Sequence, residues 1–160
     1  MATDIFARIG DIKGESADDR HKDEIGVLSW SWGVSQSAPT AGGSGAAAGK
    51  VAFTDFNFTH RIDKASPVLM RACATEQHLK DATITMRKAG KGQQEYLIIK
   101  LTDVLVTNVQ LVAAGDDAAT AENVALRFGK VELAYKPQKP DGSLDADVLF
   151  KFDVKSNKEG

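Results

Sequence analysis

The sequence predicts a mainly β protein: a closed or nearly closed β-barrel accompanied by one α-helix. Seven or eight short runs in which apolar and polar residues alternate carry that prediction. One interval between Ser66 and Leu79, where the apolar spacing lengthens to three and four, supplies the helix. A slip of apolar parity at Gly129, inside an otherwise strand-like run, marks a bulge or sharp bend. Many short, bulged strands suggest closure. At 160 residues the chain is long enough to bury a proper core, and it is read as a single domain, 1–160. Its 42% hydrophobic content excludes global disorder.

In chain order, residues 4–10 form the first strand, with Ile5, Ala7 and Ile9 set against Phe6 and Arg8. Residues 14–24 are a charged connection. In residues 28–36, Leu28, Trp30, Trp32 and Val34 share one face, and Ser29, Ser31, Gly33 and Ser35 share the other. The first face can anchor a core. The second is almost bare, and Ser and Gly are poor strand formers, so something approaches it closely or the surface must stay smooth. Residues 37–50 are a low-complexity Gly/Ala loop, long for a compact domain and with little to bury. Residues 51–60 resume as strand, with Phe56 and Phe58 on one face and Phe53 on the other.

Ser66 followed by Pro67 reads as a capped helix start, and Leu69, Ala72, Cys73 and Leu79 extend the helix over about 67–78. Residues 82–87 return to alternation. Residues 95–112 hold the longest strand signal, with Leu97, Ile99, Leu101 and Leu105 opposite Tyr96, Ile98, Val104 and Val106, so both faces are expected to be partly buried. Residues 113–122 are a polar loop. Strand signals at 124–135 and 148–155 complete the chain.

A net charge of −2 gives no bulk attraction to nucleic acid or to an anionic membrane. Cys73 stands alone, so no intrachain disulfide forms, which fits a reducing compartment. Asp4 and Arg8 interrupt what a secretory signal would need to be apolar, and no run is long enough to span a membrane as a helix. The chain is therefore expected to be made in the cytosol, and to leave, if it does, without a cleavable signal.

Each near-match to a known chemical site fails on a specific residue. Gly49-Lys50 lacks the earlier glycine and the following hydroxyl of a phosphate loop, since Ser44 and Val51 stand there. Asp141, Ser143, Asp145 and Asp147 alternate like a calcium loop, but Ala146 and Phe152 occupy its glycine and bidentate positions. Cys73 and His78 point apart at five residues' spacing on a helix. His21, His60 and His78 lack metal-ligand spacing and read as solvated or core-edge side chains. No carboxylate pair is placed for acid–base work, so the sequence argues against an enzyme and calls for no metal or cofactor.

Several segments in order carry a resemblance: Ile12-Lys13-Gly14-Glu15-Ser16, His21, Leu28-Ser29-Trp30-Ser31-Trp32-Gly33 and Asp63-Lys64-Ala65-Ser66-Pro67. Leu69-Met70, Arg87-Lys88-Ala89-Gly90, Glu122-Asn123-Val124 and Tyr135-Lys136-Pro137-Gln138 continue it. Together they resemble the haemolysin-coregulated protein (Hcp) family of bacterial type VI secretion systems. The resemblance implies a β-barrel of two packed antiparallel sheets with one flanking helix, acting as the subunit of a homohexameric ring. Rings would stack into the inner tube that a sheath drives, with its spike, into a target cell. Effector proteins would be held in the lumen before export. It places Ser31, with Ser29 and Ser35, on the lumen wall, and the loop around Ala41, Gly42, Gly43, Ser44, Gly45 and Ala46 against a neighbouring subunit or ring. Trp30 and Trp32 are assigned to packing. The competing reading is a monomeric barrel that binds a small ligand between its tryptophans.

Overall fold

The computed structural model describes residues 3–37, 50–88, 92–116 and 120–160. Within them eleven strands and one helix follow in order: β1 (Thr3–Ile9), β2 (Ile25–Ser31), β3 (Val34–Ser37), β4 (Lys50–Phe53), β5 (Phe56–His60), α1 (Ala65–Ala74), β6 (His78–Lys88), β7 (Glu95–Val112), β8 (Ala121–Arg127), β9 (Lys130–Tyr135), β10 (Val148–Asp153) and β11 (Lys158–Glu159). Nine strands form one sheet in the order β11-β10-β9-β7-β6-β1-β2-β5-β8, and β8 returns to pair with β7. That return closes β7-β6-β1-β2-β5-β8 into a barrel, from which β9, β10 and β11 extend as a flap. Strands β3 and β4 form a separate hairpin.

Closure depends on β7, whose 18 residues serve two neighbours. Leu97–Thr102 pairs with β9 and Leu105–Val112 pairs with β8. The inward residues change from Ile99 and Leu101 to Val104 and Val106, with Asp103 between them at φ 56°. Both faces of this strand are partly buried, as the sequence indicated, with Tyr96, Leu97, Ile98 and Leu105 half-buried; the fully buried side changes parity at Asp103. Gly129 lies opposite as expected, its N–H donating to the Thr102 carbonyl at 2.8 Å. A Cβ there would stand 2.7 Å from Lys155 Cε, the end of a flexible exposed chain, and 3.3 Å from Asp103 Cβ, so glycine relieves a tight approach at the bend.

The core is filled by Ile9, Ile25, Phe56, Leu69, Ile84, Ile99, Leu101 and Leu126, all essentially inaccessible. Burying one such side chain stabilises the fold by about 1.5–3 kcal/mol. Trp30 stacks on Phe56 at 5.3 Å between ring centroids. Trp32, Phe53, Phe128, Phe150 and Phe152 form an aromatic cluster that joins the β3–β4 hairpin to the bend between β8 and β9 and to β10. Both tryptophans therefore pack, as the sequence indicated. Leu28 and Val34 do not join them: Leu28 is 51% exposed at a bulge between Val27 and Ser29, and Val34 is 54% exposed on the hairpin.

The helix is shorter than its periodicity suggested and starts earlier. It ends at Ala74, because Glu76 adopts φ 51° and β6 begins at His78. Ser66 lies inside it rather than capping it. Asp63 Oδ1 instead accepts from the Ala65 N–H at 2.8 Å, while Ser66 Oγ accepts from the Asp63 N–H at 3.1 Å. These two bonds fix the turn that leads into the helix. Residues 51–60 are likewise two strands rather than one, interrupted at Thr54 and Asp55.

Candidate functional site

Directly paired residues on neighbouring strands point to the same side of a sheet. On the outer side of β2-β5-β8-β7 this places side chains in two rows. Ser29 faces Thr59, Thr59 faces Asn123 and Asn123 faces Gln110. Two residues along, Ser31 faces Asn57, Asn57 faces Ala125 and Ala125 faces Asn108. None of these eight positions carries a charge or a large apolar group. The rows beneath, facing inward, hold Trp30, Phe58 and Val124, then Phe56, Leu126 and Val106, so alternation alone sorts the two chemistries.

Ser29 and Ser31 thus lie side by side with amides and a hydroxyl that the sequence reading did not single out. The signal was present: Phe56-Asn57-Phe58-Thr59 and Asn123-Val124-Ala125 alternate with uncharged partners where Lys or Glu is usual on a solvated strand. Ser35 is not brought to this face. It sits on the hairpin opposite Ala52. The loop candidates Ala41, Gly42, Gly43, Ser44, Gly45 and Ala46 lie outside the described residues.

Two polar clusters hold the sheet behind this face. His60 Nε2 and Glu122 Oε1 are 2.7 Å apart with no exposed surface, and Asp63 Oδ2 lies 3.7 Å from His60 Nδ1. Burial opposes the charged imidazole, but the Asp63 and Glu122 carboxylates outweigh it and hold the His60 pKa above its ordinary value. His60 is therefore a core residue, not the solvated or core-edge one expected. On the β1–β6 side, Arg87 Nη2 meets Asp18 at 2.7 Å and Asp4 at 3.0 Å, and its guanidinium lies over the Phe6 ring. The hydrogen bonds from Arg87 draw the Asp18 carboxyl down to about 2. His21 stacks on Phe6 at 4.4 Å and reaches Glu24 at 2.8 Å and Glu95 at 2.7 Å. The charged connection 14–24 is thus fastened to the barrel wall. Among the described residues no group of three or more His, Cys, Asp or Glu is arranged to hold a metal ion.

The segments singled out by their sequence order meet in space. Glu15 Oε2 accepts from the Lys64 N–H at 2.8 Å, linking the first motif to the start of α1. Gly14 donates to the Asp23 carbonyl at 2.7 Å, and a Cβ on it would lie 2.5 Å from Glu24 O, so only glycine fits. These motifs are structural fasteners, not reactive groups.

The family model described as "Type VI secretion system effector, Hcp" matches residues 6–135. The chain is 47% identical over 159 residues to protein hcp1 of Pseudomonas aeruginosa, with 98% of each covered. Its fold matches the crystal structure of Hcp1 from Salmonella typhimurium over all of both chains, at 37% identity and a TM-score of 0.80. A second match, titled as the structure of a type six secretion system protein, has a TM-score of 0.91 at 26% identity, covering 99% of this chain and 100% of that one. Barrel, helix and comparisons together define a component of the type VI secretion system. Within that class the chain belongs to the Hcp family.

Proposed function

We propose that copies of this chain close into homohexameric rings that stack as the inner tube of the secretion machine. The two polar rows face the bore, and effector proteins are held there before export. The observation that carries this reading is a pair of open edges. On its β1 side, β2 is laddered only at Ile25 and Gly26, which leaves Val27–Ser31 without a partner among the described residues. On the side away from β8, β7 is laddered by β6 only as far as Leu105, so the strand beyond it has no ladder partner there among the described residues. These two edges bound the segment β2-β5-β8-β7 that carries the polar rows. Its strands alternate in direction, so β7 of one copy meets β2 of the next antiparallel and continues the sheet. Unpaired edges of this kind are normally covered or blunted in a solitary protein.

Short hydroxyls at Ser29 and Ser31 keep such a bore wide without a greasy surface, and Ser35 on the hairpin borders it. The loop 38–49, including Ala41–Ala46, docks on an adjacent subunit or ring. Sheath and spike proteins are the further partners; no described helix is long and apolar enough to cross a membrane. The monomeric ligand-binding reading is disfavoured by Trp30 on Phe56 and Trp32 on Phe53, because each indole is stacked on a phenyl ring and no cavity lies between the two tryptophans among the described residues.

The test is the mass in solution. Light scattering should give about six times the 17.1 kDa subunit mass, and particle images should show an annulus. A 17.1 kDa species at micromolar concentration overturns the ring. Ser31→Gln should keep the ring mass and lower effector retention.

A further inference from the structure

Between β2, β5 and β8 the polar rows surround a depression of about 340 Å³, lined by Ser29, Ser31, Asn57, Thr59 and Asn123 with Trp30 and Phe58 beneath. Two of its amides are held in opposite senses. Asn57 Nδ2 donates to the Asp55 carbonyl at 2.9 Å. A carbonyl can only accept, so this bond fixes the orientation of the amide: one N–H of Asn57 is taken by the backbone and its Oδ1 is left to accept from outside. The Thr59 hydroxyl donates to Asn123 Oδ1 at 2.7 Å, which leaves Asn123 Nδ2 as an outward donor with no partner among the described residues. Ser29 and Ser31 add exposed hydroxyls that donate or accept as needed. No charged side chain lines the depression. The next position along β8 on this face is Arg127, which leans on Asp55 at 3.6 Å.

We propose that this depression recognises the amide group of an exported protein, through exposed peptide bonds and Asn or Gln side chains, with Asn57 and Asn123 as its specificity-determining residues. The inference rests on reading this face as the inner wall of a ring. An amide needs one acceptor for its N–H and one donor for its C=O, and Asn57 Oδ1 with Asn123 Nδ2 supplies that set. A lone carboxylate leaves Asn57 Oδ1 unmatched; an ammonium leaves Asn123 Nδ2 unmatched. The site therefore offers a charged group of either sign fewer matched hydrogen bonds than an amide and no ion-pair partner, and it accepts a feature that every protein surface carries. Lacking charge, the interaction is insensitive to salt. Lacking a bulky apolar anchor, it is weak at one copy and gains strength by repetition around the bore.

The test uses the intact protein and three labelled peptides of equal length: one of Ser, Asn and Gln only, one rich in Lys and one rich in Glu. Fluorescence anisotropy is read at low and high salt, with light scattering on the same samples. The uncharged peptide should bind about fivefold or more tighter than either charged one, with affinity unchanged by salt. Asn123→Asp replaces the donor by a charged acceptor, so it should weaken the uncharged peptide about tenfold and favour the Lys-rich one. Asn57→Leu removes the acceptor and should weaken the uncharged peptide without creating a charge preference. Both side chains are exposed, so an unchanged melting temperature certifies the fold of each variant. Equal binding of the three peptides, tighter binding of a charged one, no binding at all, or indifference to both substitutions overturns the proposal. The two readings fail separately. A monomer that keeps the peptide preference sinks the ring alone, and a ring without the preference sinks amide recognition alone.

Discussion

The buried pair His60–Glu122 offers the sharpest test of how this barrel is held together. Replacing Glu122 by Leu leaves the imidazole, with no exposed surface, beside an apolar side chain. Removing one partner of a buried ion pair costs about 3–5 kcal/mol. For a chain of 160 residues each kcal/mol moves the melting temperature by about 2–4 °C, so Glu122→Leu should melt roughly 6–20 °C below the parent. Replacing both residues, His60→Phe with Glu122→Leu, substitutes apolar groups for the whole pair and should recover most of that loss. The pH dependence has a definite sign. Because His60 titrates above its ordinary 6.5 in the folded state, its contribution is complete below 6.5 and is lost as pH rises through the higher folded value. Calorimetric melts of the parent, both single variants and the double variant, in steps upward from about pH 6, check both points. The parent should lose stability across that window and the double variant should not. A single variant within about 1 kcal/mol of the parent, or a double variant with the parent's slope, refutes the reasoning.

Two further predictions concern the fastened connection. Gly14→Ala places a methyl 2.5 Å from Glu24 O, a backbone atom that cannot swing aside, so it should destabilise by about 1–3 kcal/mol in chemical denaturation. A loss below about 0.5 kcal/mol would mean that the turn relaxes freely. Asp18, held at about 2 by Arg87, stabilises the fold above its ordinary 3.8, and that contribution disappears as pH falls from 3.8 toward 2. Asp18→Asn should flatten the acid limb of a pH-unfolding curve over that interval, and an unchanged limb would show that Arg87 finds equal support in Asp4 alone.

The barrel was legible because its signals are local. Alternation in β1, β5 and β7 requires only that one side of each strand be buried, and the parity slip at Gly129 is visible in the order of apolar residues. What escaped depends on partners distant in sequence. The change of face at Asp103 needs β9 and β8 as successive neighbours, and Leu28 looked like a companion of Trp30 until the bulge before Ser29 removed it. The helix was overextended because Cys73 and Leu79 keep helical spacing, whereas Leu79 is held by β6 pairing with Val104. His60 reads from sequence as solvated or core-edge because its buried partner Glu122 lies 62 residues away. Ser29 and Ser31 were found by the bareness of their face. Asn57, Thr59 and Asn123 needed the strand register, which no single segment encodes.

The two unpaired ladders of the β2-β5-β8-β7 segment have a consequence for copy number. They lie on different strands, so joining them is a heterologous contact, and each added subunit is turned from the last by one fixed angle. A whole number of such turns completes a circle; any other angle yields an endless spiral. In the proposed ring, the twist of four strands, together with the bulge between Val27 and Ser29, would therefore be the counter that decides when growth stops.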